Sequence, residues 1–251
     1  MFDKKENEKS VSFLNEHAGE GFENITQDDL KMPFLNILQK GSPQVDKNDV
    51  NFIQGAEPGM FFNNVTKKLY GTTIELIPVK YEKLWMEWKP DRGGLIGPHI
   101  PGSIDVDKND FSNWIYNGNN ITETLFFYVL IAGHFNDGPI TFTLSSTGIK
   151  HGKNWNTQIV HTRLPNGKQA PYFSSVWKLT SMACKNDKGT WYQIGDTSTA
   201  IERKRFINQK ECIDFILPAV EALAKSSIDF KQLENNSSAG GTQEELKNVP
   251  Y

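Results

Sequence analysis

Cysteine is scarce in this chain of 251 residues: Cys184 and Cys212 are the only two, and they form no CxxC pair. A disulfide framework is thereby excluded, and no cysteine-based zinc site follows. Long apolar runs are missing as well. The longest, Leu125–Gly133, is of strand length, far below the ~20 residues a membrane helix requires. The opening MFDKKENEKS is charged and lacks the apolar stretch of a secretory signal. These absences lead to an expectation of the reducing cytoplasm, that of the host cell if the protein is viral. Paired-carboxylate spacing, a nucleophile elbow, HExxH and a Cys–His set are also missing. The chain is therefore expected not to be an enzyme and to take no cofactor and no metal.

What is present is a local surplus of positive charge. Residues 140–192 hold seven Lys or Arg (Lys150, Lys153, Arg163, Lys168, Lys178, Lys185 and Lys188) against one acid, Asp187. That is a surplus of six in a chain whose formal charge is −3, so the remainder sums to −9. Three of the six tryptophans, Trp155, Trp177 and Trp191, lie in the same stretch. Cations track phosphate and rings stack on splayed bases, so the pattern suits a single-stranded nucleic acid. It equally suits a β-rich core whose solvent edge is basic.

In chain order, residues 1–21 read as a mobile arm, with a short helix around Val11–His17. Residues 22–41 read as a helix: Thr26 and Asp29 fit a capping box, and Leu30, Phe34, Leu35, Ile37 and Leu38 form a stripe that contains Pro33. Gly59–Gly71 reads as a hairpin. Thr72–Pro90 alternates as a strand until the pattern slips around Lys80–Leu84, which predicts a bulge. Trp85 and Trp88, three apart, cannot share a face of a regular strand. Residues 91–122 are rich in Gly, Pro, Asn and Asp and read as a long connection, with His99 exposed.

Leu125–Ala132 is apolar on both faces and predicts a central strand, and Ile140, Phe142 and Leu144 alternate as a further one. Ser145–Leu164 reads as a helix behind a Ser/Thr cap, with Trp155, Ile159, Val160 and Leu164 inward. Lys150, His151 and Lys153 cluster at its start, where free amides favour anions. Pro171–Gly195 reads as a hairpin turning at KNDKG. Ala200–Ser226 reads as helical, with Asn208 and Glu211 as a capping box and Pro218 as a kink. The stretch from Glu234 has no core-forming pattern and reads as disordered.

Five or so strands, with a helix between the third and fourth, suit an oligonucleotide-binding (OB) barrel. The expected fold class is mainly β with flanking helices (α+β), an OB-fold-like five-stranded barrel core with additional helices and loops. Its organisation would be an arm over 1–21, a binding domain over 22–233 and a mildly acidic tail over 234–251. The stretches TFTLSSTGIKHGKNWNTQIVHTRLP, PYFSSVWKLTSMACKNDKGTWY and GFENITQDDLKMPFLNILQKGSP resemble single-stranded DNA-binding proteins of tailed bacteriophages. The resemblance implies an OB core that coats single-stranded DNA without sequence specificity during phage DNA replication and recombination. It also implies a C-terminal tail that contacts replication or recombination proteins, although such tails are strongly acidic and this one is only mildly so.

The residues expected to meet the strand are Lys80, Lys83, Trp85, Trp88, Lys89, Arg92, Lys150, Lys153, Arg163, Lys178, Lys185, Lys188, Trp191 and Tyr192. At least one of Trp85, Trp88 and Trp191 is expected to be exposed, and Trp155 and Trp177 to be core. The competing reading is a β-rich structural or virion-associated protein with no nucleic-acid role.

Overall fold

A computed structural model describes residues 31–108, 114–187 and 189–225, together with Leu14, Glu16, His17 and 20–25. The chain divides into two units, Met1–Lys31 and Met32–Tyr251. In the first, the described residues form short turns: the His17 amide bonds the Leu14 carbonyl at 3.1 Å, and the Glu20 amide bonds the His17 carbonyl at 3.2 Å. The capping box expected at Thr26 and Asp29 lies outside the described residues, as does the segment from Glu234.

The second unit is mainly β. Its elements are β1 (Phe34–Ile37), β2 (Phe61–Asn63), β3 (Thr73–Trp88), β4 (Leu95–His99), β5 (Asp107–Lys108), β6 (Trp114–Tyr116), β7 (Asn119–Ile131) and β8 (Ile140–Ser145). Helix α1 (Ile149–His161), β9 (Ser175–Asn186), β10 (Gly189–Ile194) and β11 (Ile201–Phe206) follow. The described chain closes with α2 (Gln209–Glu211), a π-helical turn (Cys212–Ile216) and α3 (Leu217–Lys225). The eleven strands among the described residues exceed the five or so expected, and all join one sheet. Its main path runs β10-β9-β3-β7-β8-β1-β2, with β11 beside β9, β4 beside β3, and β6 and β5 beyond β7.

The long antiparallel pair β3–β7 is the axis of this sheet. Both faces of β7 are buried, as its apolar run requires: Leu125, Phe127, Val129 and Ile131 enter one core, and Phe126, Tyr128 and Leu130 the other. Strand β3 serves both cores through the expected bulge, a register shift between Pro78 and Lys80. Before the bulge Ile74 and Leu76 face the first core, and after it Leu84, Met86 and Trp88 face the second. One extra residue turns the even-numbered side chains from one side to the other.

The two cores are covered by different helices. On the first, α1 inserts Trp155 and Ile159, and the Trp155 ring stacks on Phe127 at 4.7 Å. Trp155 and Trp177 are core, as expected, while Val160 is 51 % exposed rather than inward. The helix starts at Gly148 with no side-chain cap, so the expected Ser/Thr cap is absent. On the second core sit Ile216 and Ala219, with Val220 and Leu223 beside them. Asn208 and Glu211 form the expected capping box, and the π-helical turn lies just before Pro218, whose missing N–H breaks the helical ladder.

Three expectations are corrected. The stripe over 22–41 is not a helix, since Phe34–Ile37 is β1. Phe34 faces one core and Leu35 the other, and β1 pairs in parallel with β8 and antiparallel with β2. A short strand buried on both faces cannot be told from a helical stripe by apolar spacing alone. The connection over 91–122 carries β4, β5, β6 and the start of β7. The signal was the pair Asn117-Gly118, whose φ values of 50° and 80° form the left-handed two-residue turn that joins β6 to β7. Finally, Ala200–Ser226 opens with β11, antiparallel to β9, and becomes helical only at Gln209.

The sheet curls so that its ends meet. The Gln39 carboxamide, two residues after β1, donates to the Tyr192 carbonyl at 2.8 Å and accepts from the Tyr192 amide at 2.8 Å. A side chain thus supplies the donor and acceptor that a neighbouring strand would offer β10. The Ser181 hydroxyl donates to the Gly59 carbonyl along the same seam.

Two outcomes follow from this packing. A Cβ on Gly152 would lie 2.5 Å from Leu125 Cδ1 and 3.2 Å from Leu144 Cδ1, both buried. Gly152→Ala should therefore lower stability by about 1–3 kcal/mol, net of a helix-propensity gain of up to about 1 kcal/mol, measured as a shift in urea midpoint. The two hydrogen bonds from the Arg205 guanidinium, at 2.6 and 2.7 Å, hold the Glu211 carboxyl below its usual range. A carboxyl depressed on folding contributes stability above its unfolded pKa of about 4.3 and loses it as pH falls through the folded value. The drop in urea midpoint between pH 6 and pH 3 should shrink in Glu211→Gln.

Candidate nucleic-acid interface

Beyond the cores the β3–β7 pair continues as an extension, in which β4 flanks β3 and β6 with β5 flanks β7. Directly opposed residues of antiparallel strands share a face. Trp85 opposes His99 on one side and Glu123 on the other, Glu87 opposes Ile121, Trp114 opposes Ile121, and Tyr116 opposes Asn119. One face of the extension therefore gathers Trp85, Trp114, Tyr116, His99 and Glu87. The rings of Trp85 and Trp114 meet edge to face at 5.2 Å, and those of His99 and Tyr116 at 5.5 Å.

Glu87 organises this face. It is 5 % exposed, and its carboxylate oxygens contact His99 Nε2 at 2.7 Å and Asn119 Nδ2 at 2.7 Å. A buried carboxylate is tolerated where both oxygens are satisfied. His99 is thus a half-buried partner of Glu87, not the exposed residue expected between its prolines. Toward α1 the same face carries Lys83 and Lys153, whose ammonium groups approach Glu123 at 3.9 and 3.3 Å. Tyr81 lies on this side too, and burial followed by the Glu123 charge pushes its phenol up.

The expected site residues fall into separate groups. Lys83 and Trp85 belong to the aromatic face, and Lys89 is exposed at its rim. Arg92 ends the short turn Pro90–Arg92 that follows β3. Lys80 and Trp88 project to the opposite face. Trp88 packs on the second core, and Lys80 pairs with Glu82 at 2.8 Å, donates to the Leu223 carbonyl at 3.1 Å and covers the Tyr128 ring.

The basic stripe does not survive folding as a stripe. Lys150 pairs with Asp196 at 2.8 Å, Lys153 with Glu123 and Lys178 with Glu202 at 3.0 Å, all with acids from outside residues 140–192. Arg163 turns back on the end of α1 and donates to the Val160 and Thr162 carbonyls. His151 is buried, and burial, outweighing the Asp196 charge, holds its imidazole below the usual range. Among the described residues Lys185 is exposed without an ion pair, and Lys188 lies outside them. Trp85, Trp88 and Trp191 are all half-buried, so no fully exposed ring occurs among the three. Tyr192 is held at the seam by Gln39.

Trp114, Tyr116, His99 and Glu87 were not among the expected site residues. Asn117-Gly118 was the signal for the first two, since a two-residue turn sets Trp114 and Tyr116 opposite the start of β7. Nothing local linked Glu87 to His99.

A family model described as Pam3 phage gp34-like protein matches residues 4–211. No curated protein and no solved structure matches the chain.

Because Glu87 satisfies two donors on one face, its loss should loosen the whole extension. Glu87→Ala leaves the half-buried His99 and Asn119 groups unmatched, at up to about 1 kcal/mol, the low end of the range for a buried group left unpaired. The expected readout is a lower thermal midpoint with loss of near-ultraviolet dichroism from the Trp85–Trp114 pair. Retention of both would show that Glu87 does not organise the face.

Proposed function

The chain belongs to the Pam3 phage gp34-like family, a family of phage proteins, and from that premise we propose that it binds single-stranded DNA without sequence specificity. The observation that carries the reading is the extension: edge-to-face rings with Lys83, Lys89 and Lys153 at the margins form a surface suited to stacked bases and tracked phosphates. Coating of single strands during replication and recombination is the role this reading assigns.

The strand pairing supports an OB-type core. Strands β3, β7, β8, β9 and β10, with α1 between the third and fourth, pair as first with second, second with third, first with fourth and fourth with fifth. The remaining pairing, third with fifth, is replaced by β1 and the Gln39 bridge to Tyr192. In such barrels the first interstrand loop and the fourth help to bind oligonucleotides. Here those are the connection between β3 and β7 and the one between Asn186 of β9 and Gly189 of β10. The π-helical turn and α3 cover the outer face of β3 and β7 through Ile216 and Ala219, which favours the connection between β3 and β7 as the binding surface.

A structural or virion-associated role is the second reading. It is favoured by the pairing of Lys150, Lys153 and Lys178 with carboxylates and by the half-burial of Trp85, Trp88 and Trp191. A gel shift with single- and double-stranded oligonucleotides separates the two, and no shift with either would sink the proposal.

Three quantitative outcomes accompany DNA binding. Affinity for poly(dT) should fall with salt, with a slope of about −0.7 in log K against log salt for each phosphate neutralised. Trp85→Ala should lose about 1–3 kcal/mol of binding and should abolish most of the indole quenching that poly(dT) produces. The double variant Lys150→Ala/Lys153→Ala should bind all sequences more weakly by a common factor and keep its thermal midpoint, because exposed ion pairs contribute little to stability.

A further inference from the structure

At the end of the β3–β7 pair opposite to the extension lies a cleft, open to solvent, of about 460 Å³. That is within the usual range for small-molecule sites, roughly 300–1,000 Å³. Its floor is apolar, made by Ile74, Ile131 and Ala132, and its wall carries Lys68, Tyr70 and His134. We propose that this cavity is a second binding site, separate from the aromatic face, and that it takes a nucleoside monophosphate.

The polar wall is built rather than incidental. Asp137, whose side chain is 8 % exposed, uses both carboxylate oxygens on it, accepting from Lys68 Nζ at 2.5 Å and from Tyr70 Oη at 3.0 Å. Burial alone would raise the Asp137 carboxyl, but the Lys68 and Tyr70 hydrogen bonds outweigh it and hold the group below its usual range, ionised. Burial, followed by the bond to Asp137, pushes the Tyr70 phenol up to about 12, so it remains a neutral donor at working pH. The His134 ring rests edge to face on Tyr70 at 5.5 Å. Asp137 thus fixes an ammonium group and a phenol at one wall, with an imidazole beside them.

The chemistry of that wall selects an oxyanion. Lys68 engages Asp137 through one of its three N–H bonds, and the others can reach a phosphate oxygen, as can an N–H of exposed His134. Phosphate alone would not use the rest of the cavity. Ala132, with the edges of the buried Ile74 and Ile131, offers a small apolar contact to a sugar or the edge of a base. Glu75, at the rim, is an acceptor for a hydroxyl or an exocyclic amino group. Lys178 opposes it across the β3–β9 pair but pairs with Glu202 at 3.0 Å.

The test is an amide chemical-shift titration of the full chain with three probes: thymidine monophosphate, thymidine and inorganic phosphate. Thymidine monophosphate should shift the amides of Lys68, Tyr70, Ala132 and His134, with inorganic phosphate binding more weakly at the same amides and thymidine hardly at all. Lys68→Ala should weaken thymidine monophosphate about tenfold or more, the scale of one charge-assisted hydrogen bond. His134→Ala removes only a ring contact, so it should keep its thermal midpoint and still lose affinity; it decides the matter if Lys68→Ala fails to fold. Equal binding of thymidine overturns the oxyanion assignment, and equal binding of inorganic phosphate overturns the nucleoside assignment. Unchanged affinity in His134→Ala, shifts confined to the extension, or no binding at millimolar concentration overturns the site. Poly(dT) binding by the same variants should match the parent, so failure of the cavity is distinguishable from failure of single-strand binding.

Discussion

The bulge between Pro78 and Lys80 is the constraint on which the architecture depends. A sixteen-residue strand with strict alternation can feed one core per set of alternate residues along its whole length. Inserting one residue lets β3 pack Ile74 and Leu76 under α1, then Leu84, Met86 and Trp88 under the terminal helix. It also sends Trp85 and Glu87 to the face where Trp114, Tyr116 and His99 gather. A regular strand would put Trp85 on the side now held by Trp88. The two cores and the aromatic face are therefore consequences of one local irregularity.

A curled sheet must deal with its free edges, because unpaired N–H and C=O groups cost free energy when water is excluded and invite another strand when it is not. Here the seam is closed by a side chain. The Gln39 carboxamide offers the donor–acceptor pair that a strand would offer to Tyr192, while Ser181 reaches Gly59. Closure by one amide allows β1 and β2 to be inserted between β8 and β10 without a continuous ladder. The seam also fixes β10, and with it the turn that follows Lys185.

Charge is redistributed by the same topology. The surplus of six cations over 140–192 is a property of the linear chain. Folding brings Glu123, Asp196 and Glu202 to three of those cations and directs Arg163 onto helix carbonyls. Exposed pairs of this kind are weak and salt-screened, so a phosphate can compete for the lysines. Charge density along the sequence is thus a poor guide to where an anion would sit. The aromatic face and the Lys68–Tyr70–His134 wall emerge instead from residues far apart in the chain.

By itself the sequence determined the features that are local or strongly periodic. These were the doubly buried β7, the slip in β3, the helix carrying Trp155, the β9–β10 hairpin and the Asn208–Glu211 capping box. Each follows from spacing within a single element. Only the tertiary structure decided that Phe34–Ile37 is a strand and that Ile201–Phe206 pairs with β9, because partners about a hundred residues away for β1, and some twenty-five for β11, override local propensity. It likewise decided that Leu95–His99, Asp107–Lys108 and Trp114–Tyr116 are strands within the stretch read as a loop. It brought Glu87 to His99 and Asn119, and Asp137 to Lys68 and Tyr70, contacts that no spacing rule contains. A side chain's chemistry is written in its own position, but its neighbours across a sheet are set by register, and register belongs to the fold.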